Sequence, residues 1–324
     1  MLAYLKKDMT EPLIFTQSTE GSQETLKDSI WIDLYSPSTF EENSVEKLIG
    51  QNIPTREEMI EIESSSRLYR VNDILVMTAM IIAKSDSLDP QLDPVTFVLT
   101  DKQVITIRYV ESHSFKLLTS QVKKIDIQNR TAIKILITML DAIIDRLADI
   151  LECVGSRLDH YSKTILRPLA VAEKLDYSQL IQQIGTNGDL NTKARESLVT
   201  FNRLISFFGQ TAHSIIGEEE KLKLSSLSND ILSLSDHANF LSTKINFLLD
   251  ATLGLVNIEQ NNIIKIFSVA AVIFLPPTLV ASIYGMNFQI MPELSWKYGY
   301  LFAIGMILTA AWLPYKYFKY RKWL

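Results

Sequence analysis

One cysteine, Cys153, stands alone among 324 residues. An intramolecular disulfide and a thiolate zinc cage are therefore both excluded, and the soluble part of the chain reads as reduced and cytosolic, with Cys153 a packed thiol. Equally missing are a glycine-rich phosphate loop, a His-Glu-x-x-His helix and a nucleophile elbow, so no enzyme chemistry and no organic cofactor are expected. The four histidines, His113, His160, His213 and His237, share no ligand spacing and read as surface or structural residues. At its start the chain runs Met1-Leu2-Ala3-Tyr4-Leu5-Lys6-Lys7-Asp8, without the basic region and apolar stretch of a secretory signal. Membrane insertion is expected from elsewhere in the sequence.

Positive charge is in deficit over most of the chain. Net charge is −5, yet Lys316, Lys319, Arg321 and Lys322 carry +4 on the last nine residues and leave −9 on the rest. Nucleic acid is a poor partner for such a surface. Concentrating cations, or plain solubility, fits it better.

Charge of either sign is absent from two long runs. No residue from Ile266 to Pro292 is charged, and Ile266–Tyr284 is nearly continuously apolar; a second uncharged run goes from Tyr298 to Tyr315. The first is long enough to cross a hydrocarbon core of about 30 Å as a helix. Two such runs so close together argue for two spans rather than a buried hairpin of a soluble protein. Basic residues follow the second run and Lys265 precedes the first, whereas the connector Gly285–Lys297 offers only Glu293 and Lys297. The excess of positive charge then puts both termini in the cytoplasm and the connector outside. Tyr284, Trp296, Tyr298, Tyr300, Trp312, Tyr315, Tyr317 and Trp323 cluster at the span ends as interfacial aromatics do.

What is present before these runs reads as an α/β domain followed by helices, and a chain of this length can bury a sizeable core. Short β-rich runs, Ser29–Leu34, Ile74–Met77, Val95–Leu99 and Val104–Ile107, mix with helical stretches around 38–50 and 55–64. Asp101-Lys102-Gln103 reads as a hairpin turn, and the segment with Pro90 and Pro94 as a surface loop. From about Asp126 long amphipathic helices are expected, with breaks near Arg167-Pro168, Gly185–Asp189 and Gly217. The boundaries that follow are 1–125 for the α/β domain and 126–217 for the helical region. Beyond them come a stalk helix at 218–262, a first span at 263–284, a connector at 285–297, a second span at 298–317 and a basic tail at 318–324.

The stalk carries two stripes. Leu224, Leu227, Ile231, Leu234, Ala238, Leu241, Ile245, Leu248, Thr252 and Leu255 recur at steps of three and four, an apolar seam that should pack on neighbouring helices. Two residues out of phase, and so on the opposite face, run Asp250, Gly254, Asn257, Asn261, Ile264, Ser268, Ala271, Leu275, Thr278 and Ser282. Nothing breaks the helical register between stalk and membrane, so one helix from about Glu218 to Tyr284 would be roughly 100 Å long. Small and polar residues in a span serve close helix packing. They also serve a water-filled axis shared by several subunits, since two spans per chain cannot enclose a hydrated pore. Pro276-Pro277 removes two amide donors in mid-span and should free the carbonyls near Val272 and Ile273 and bend the helix.

Where the first span ends the sequence reads Tyr284-Gly285-Met286-Asn287-Phe288, then Met291-Pro292-Glu293-Leu294 and Trp296. This resembles the CorA family of magnesium and cobalt channels in the metal ion transporter superfamily, whose signature is Gly-Met-Asn at this place with Met-Pro-Glu-Leu shortly after. The resemblance extends through Asn257–Asn261 and Ile264–Val280 and, more faintly, Trp31–Leu34 and Thr55–Glu58. It implies an α+β/α membrane protein of the inner membrane: a funnel-shaped homopentamer with a cytoplasmic α/β domain and a stalk entering the membrane as the pore helix. By the same resemblance Gly285, Met286 and Asn287 form the selectivity filter. Asn261, Ile264, Ala271, Leu275, Thr278 and Ser282 line the path, with Leu275 and Thr278 at constrictions, and Glu293 attracts cations to the mouth. Asp250 matches an aspartate that holds regulatory Mg²⁺ between subunits, its partner being among Asp86, Asp89 and Asp93. Mg²⁺ is then both cargo and regulator, with Co²⁺, Ni²⁺ and Mn²⁺ as further cargo, and the partners are other copies of the chain, membrane lipid and divalent cations. Two rivals stand beside it. A zinc transporter of the same superfamily would carry Gly-Ile-Asn and lack Met-Pro-Glu-Leu; a membrane-anchored Mg²⁺ sensor would not need the polar stripe.

Overall fold

The computed structural model describes residues 1–6, 13–15, 22–61, 63–87, 89–122, 130–166, 176–213, 215–287, 291–321 and 323. They divide into two units, Met1–Leu249 and Asp250–Leu324.

In the first unit β-branched and apolar runs pair into a sheet. Its strands are β1 (Leu2–Lys6), β2 (Leu13–Phe15), β3 (Ser29–Tyr35), β4 (Leu68–Val71), β5 (Ile74–Ala83), β6 (Gln91–Leu99) and β7 (Val104–Arg108). Among the described residues their order is β2-β1-β3-β7-β6-β5-β4, antiparallel throughout except for the central parallel pair β3 and β7. All four expected runs are strands. β1, β2 and β4 were not legible: Leu2–Leu5 is a short apolar run that becomes a strand by pairing with β3. The turn at Asp101–Gln103 is present, closed by the Thr100 amide donating to the Gln103 carbonyl at 2.9 Å.

The expected loop at Pro94 is overturned. Pro94 lies inside β6, paired with Met80 of β5, whereas pairing with β7 begins only at Val95. The strand is a local edge there, which is where a residue without an N–H is tolerated.

Both faces of the sheet are covered. On one lie α1 (Ser22–Lys27), α2 (Thr39–Ile49) and α3 (Arg56–Ile60), whose Leu26, Val45 and Met59 close a core with Ile32, Leu34, Val98 and Ile105; α4 (Ser64–Arg67) leads directly into β4. Ser38 with Glu41, and Thr55 with Glu58, form reciprocal capping boxes that start α2 and α3. Gly50 ends α2 in the left-handed conformation at φ 69°. The other face receives α6 (Ala132–Leu166) and α7 (Tyr177–Thr211), which follow α5 (His113–Val122). Phe97 meets Phe201 edge to face at 6.5 Å. The Ser197 hydroxyl donates to the Met80 carbonyl at 2.6 Å, and the Met80 amide donates to Thr200 at 3.0 Å.

Two further expectations change, and two more fall outside the described residues. The break at Gly185–Asp189 does not exist, because α7 runs through it. Leu180, Ile184, Leu190 and Ala194 are buried, and that packing outweighs two glycines and two asparagines of low helix propensity. Asn187 donates back to the Gln183 carbonyl at 2.8 Å, and Thr186 to that of Gln182 at 3.0 Å. Cys153 is exposed rather than packed, since the buried face of α6 passes through Leu151 and Val154. The break at Arg167-Pro168 and the boundary at 125/126 lie outside the described residues.

Helix α8 (Glu218–Tyr284) is continuous over 67 residues. Its first turn holds Glu218, Glu219 and Glu220, a favourable placement at the positive end of the helix dipole. Within the first unit Leu224, Leu227, Ile231, Ala238, Leu241, Ile245 and Leu248 are buried, as the seam requires. Asn191 of α7 donates to the Ala238 carbonyl at 3.0 Å and to Ser242 at 2.8 Å. Ion pairs from Lys223 to Asp141 at 2.8 Å and from Lys244 to Asp159 at 2.6 Å tie α8 to α6. The Asp159 carboxyl is held below its ordinary pKa, first by the hydrogen bond from Lys244 and then by its charge.

The second unit holds the remainder of α8, a 3₁₀ turn at Pro292–Ser295 and α9 (Gly299–Tyr320). Both α8 and α9 contain stretches long and apolar enough to cross a membrane, and α8 stays helical through Pro276 and Pro277.

Candidate permeation site

In the second unit one side of α8 turns toward α9. Val269 is its buried residue there, at 3% exposure, and Ile273, one turn on, shares a groove with Leu308, Ala311 and Trp312 of α9. Ala271 and Leu275 lie two residues further along and so about 200° round the helix. Asn261, Ile264, Ser268, Ala271, Leu275, Thr278 and Ser282 are all exposed. The expected stripe is therefore one face, directed away from α9 and left open by the single chain. Thr278 donates its hydroxyl to the Phe274 carbonyl at 2.8 Å.

At the end of α8 the Gly285 amide donates to the Ala281 carbonyl at 3.0 Å and the Met286 amide to that of Ile283 at 3.2 Å. Gly285, Met286 and Asn287 are exposed. Gly285 does not adopt the left-handed conformation; an added Cβ would stand 3.3 Å from the Ala281 carbonyl oxygen. Phe288 lies outside the described residues, and Glu293 sits on the 3₁₀ turn.

Asp250 is exposed. Of the acids considered as its partner, Asp86 pairs with Arg146 at 3.1 Å and Asp93 with Arg56 at 3.5 Å, whereas the Asp89 amide caps back onto Ser87 at 3.2 Å. Two of the three are thus already engaged by arginines. Among the described residues no group of three or more His, Cys, Asp and Glu is placed to hold a metal. The fold does bring His160 and His237 to one cavity of about 650 Å³ with Glu152 and Asp159, a proximity between α6 and α8 that their spacing did not reveal.

A soluble α/β unit, one unbroken helix leading out of it into the first of two candidate spans, and an uncharged polar face ending in Gly-Met-Asn define a transmembrane metal-ion transporter. The family model described as CorA-like Mg²⁺ transporter protein matches residues 27–321, and this chain belongs to that family. The magnesium transport protein CorA of Haemophilus ducreyi is 37% identical over 306 residues, covering 94% of this chain and 95% of that one. Its counterpart in Pasteurella multocida is 35% identical over 305 residues, with the same coverage. The complete structure of the CorA magnesium transporter from Methanocaldococcus jannaschii has the same fold, with a TM-score of 0.74 at 19% identity over 100% of this chain and 98% of that one.

Proposed function

We propose that the chain assembles as a homopentamer in the bacterial inner membrane and conducts hydrated Mg²⁺ inward, with Co²⁺, Ni²⁺ and Mn²⁺ as further cargo. The observation that carries this is the exposed face of α8 from Asn261 to Ser282, which leads to Gly285, Met286 and Asn287 and faces away from α9. One such face from each of several subunits encloses an aqueous axis that a single chain cannot.

Mg²⁺ gives up its waters reluctantly. A ring of neutral Asn287 amides and backbone carbonyls at Gly285 and Met286 would bind the hydrated ion through its waters, whereas a ring of carboxylates would hold it too long. Five copies of Glu293 outside would raise the cation concentration at the mouth. With both termini in the cytoplasm, an inside-negative potential of 100 mV drives each divalent ion inward by roughly 4.6 kcal/mol. Asp250 joins an acid of the soluble domain in holding regulatory Mg²⁺ between subunits, which closes the path when internal Mg²⁺ is high.

The test is Mg²⁺ influx into proteoliposomes holding wild-type chain or Asn287→Ala, with and without an imposed potential. Influx that grows with the potential and is lost in Asn287→Ala supports the channel and its filter; full transport by Asn287→Ala would move the filter elsewhere. No influx in either favours a non-conducting sensor.

A further inference from the structure

Between α8 and α9 lies a groove of about 520 Å³ lined by Ile273, Leu308, Thr309, Ala311, Trp312 and Tyr315. Its one aliphatic hydroxyl is turned inward, since Thr309 bonds back to the Gly305 carbonyl at 2.9 Å. Hydrocarbon is what remains. The lining of α9 from Leu308 to Tyr315 rises about 10 Å along the helix.

The same face of α9 continues into charge. Leu308, Trp312, Tyr315, Lys316 and Lys319 succeed one another at helical spacing, and the two lysines are exposed. The Lys316 ammonium sits 4.8 Å above the Trp312 ring and that of Lys319 5.9 Å above the Tyr315 ring, so both cations are poised over the two aromatics that close the groove. No Asp or Glu follows Glu293 in the chain, and α9 cannot neutralise them itself.

We propose that this groove holds one anionic glycerophospholipid of the leaflet on the basic side of the membrane, an acyl chain lying along Leu308 and Ala311 and the phosphate meeting Lys316 and Lys319. Apolar grooves that end in basic residues between membrane helices suit such headgroups, and Trp312 and Tyr315 mark the depth at which headgroups begin. A second copy of the chain is the poorer occupant. Its own span ends at this level carry Lys265, Lys316, Lys319 and Arg321 against one acid, Glu259, a net repulsion for the lysines here. The proposal rests on α8 and α9 being spans.

Native mass spectrometry of the detergent-purified full chain, titrated with phosphatidylglycerol or phosphatidylcholine of equal acyl length, tests it. Two lysines near the headgroup predict a preference for phosphatidylglycerol of roughly thirtyfold, falling toward parity in Lys316→Gln/Lys319→Gln. Ala311→Trp, which fills the groove and keeps the charge, should weaken both lipids together, and soluble glycerol 3-phosphate should not displace the bound lipid. Equal affinity of the wild type for the two lipids, a preference that survives the double lysine substitution, displacement by glycerol 3-phosphate, or no retained lipid would each overturn the site. Carbonate extraction of membranes separates the two levels of failure. A chain stripped off by carbonate overturns the spans and the lipid site together, whereas a retained chain without lipid preference overturns the site alone.

Discussion

Asp33 sits in a strand whose neighbours are apolar, and the sheet tolerates it because Arg108 on the parallel strand β7 takes hold of both its oxygens, at 2.8 to 3.2 Å. Thr106 donates to the same carboxylate at 2.7 Å and accepts from the Trp31 indole at 3.1 Å, while the guanidinium lies over Tyr35 and Phe115. Side-chain exposures of 10% and 9% for the pair mean that removing one partner leaves the other charge buried and uncompensated. Asp33→Leu should therefore lose roughly 3–5 kcal/mol, read as a lower thermal midpoint of the full chain in detergent, and Arg108→Met added to it should restore most of the loss. Ser29–Leu34 was legible as a strand; the partner of its Asp33 was not, because Arg108 lies 75 residues away in the chain and no local pattern links the two. Thr55–Glu58 is similar. In the fold it forms the capping box that starts α3. Asp250 belongs to the other kind: if it holds regulatory Mg²⁺, Asp250→Ala proteoliposomes should conduct at internal Mg²⁺ that silences the wild type, and unchanged inhibition would put the sensor elsewhere.

Helix α6 carries Asp145 on its exposed side, only partly desolvated and crowded by other carboxylates. Asp145 has its pKa raised, first by burial, then by Asp141, with Asp149 and Asp230 adding to the shift and Lys223 opposing it. An acid whose folded pKa is raised favours the protonated fold, so its contribution is present at low pH and is lost as pH rises through the raised value. Asp145→Asn should accordingly raise the thermal midpoint at neutral pH, with the gain shrinking as pH falls toward the ordinary carboxylate range. A gain that grows toward acid would refute the sign. Elements were read well wherever an apolar period ran long, as in the α8 seam and the β5 to β7 strands. They were misread where single residues were allowed to punctuate: Gly185, Gly188 and Pro94 each suggest a break in isolation, and each is absorbed by a neighbour, the Ile184/Leu190 face in α7 and the local edge of β6. Cys153 failed for a related reason, since one residue's shift along α6 carries a side chain from the buried face to water.

At the scale of the whole chain, the order of a soluble α/β domain, stalk and two spans was written in the distribution of charge, because membrane spans are defined by what they exclude. Which side of α8 meets α9 was not, since both faces of a span are uncharged; Val269 and Ile273 settle it only once the second helix is packed beside the first. The continuity of α8 couples two phases, the seam buried as far as Thr252 and the polar face that begins near Asp250. One residue inserted between Leu249 and Asn257 would turn Gly285–Asn287 by about 100° relative to the seam, whereas seven would return them to within about 20°. Uptake assays on the two insertions should find the first inactive despite normal membrane insertion and the second largely active. Only insertions that close near a whole number of turns, of about seven, eleven or eighteen residues, keep the two faces in phase, so the workable lengths of this helix form a discrete series.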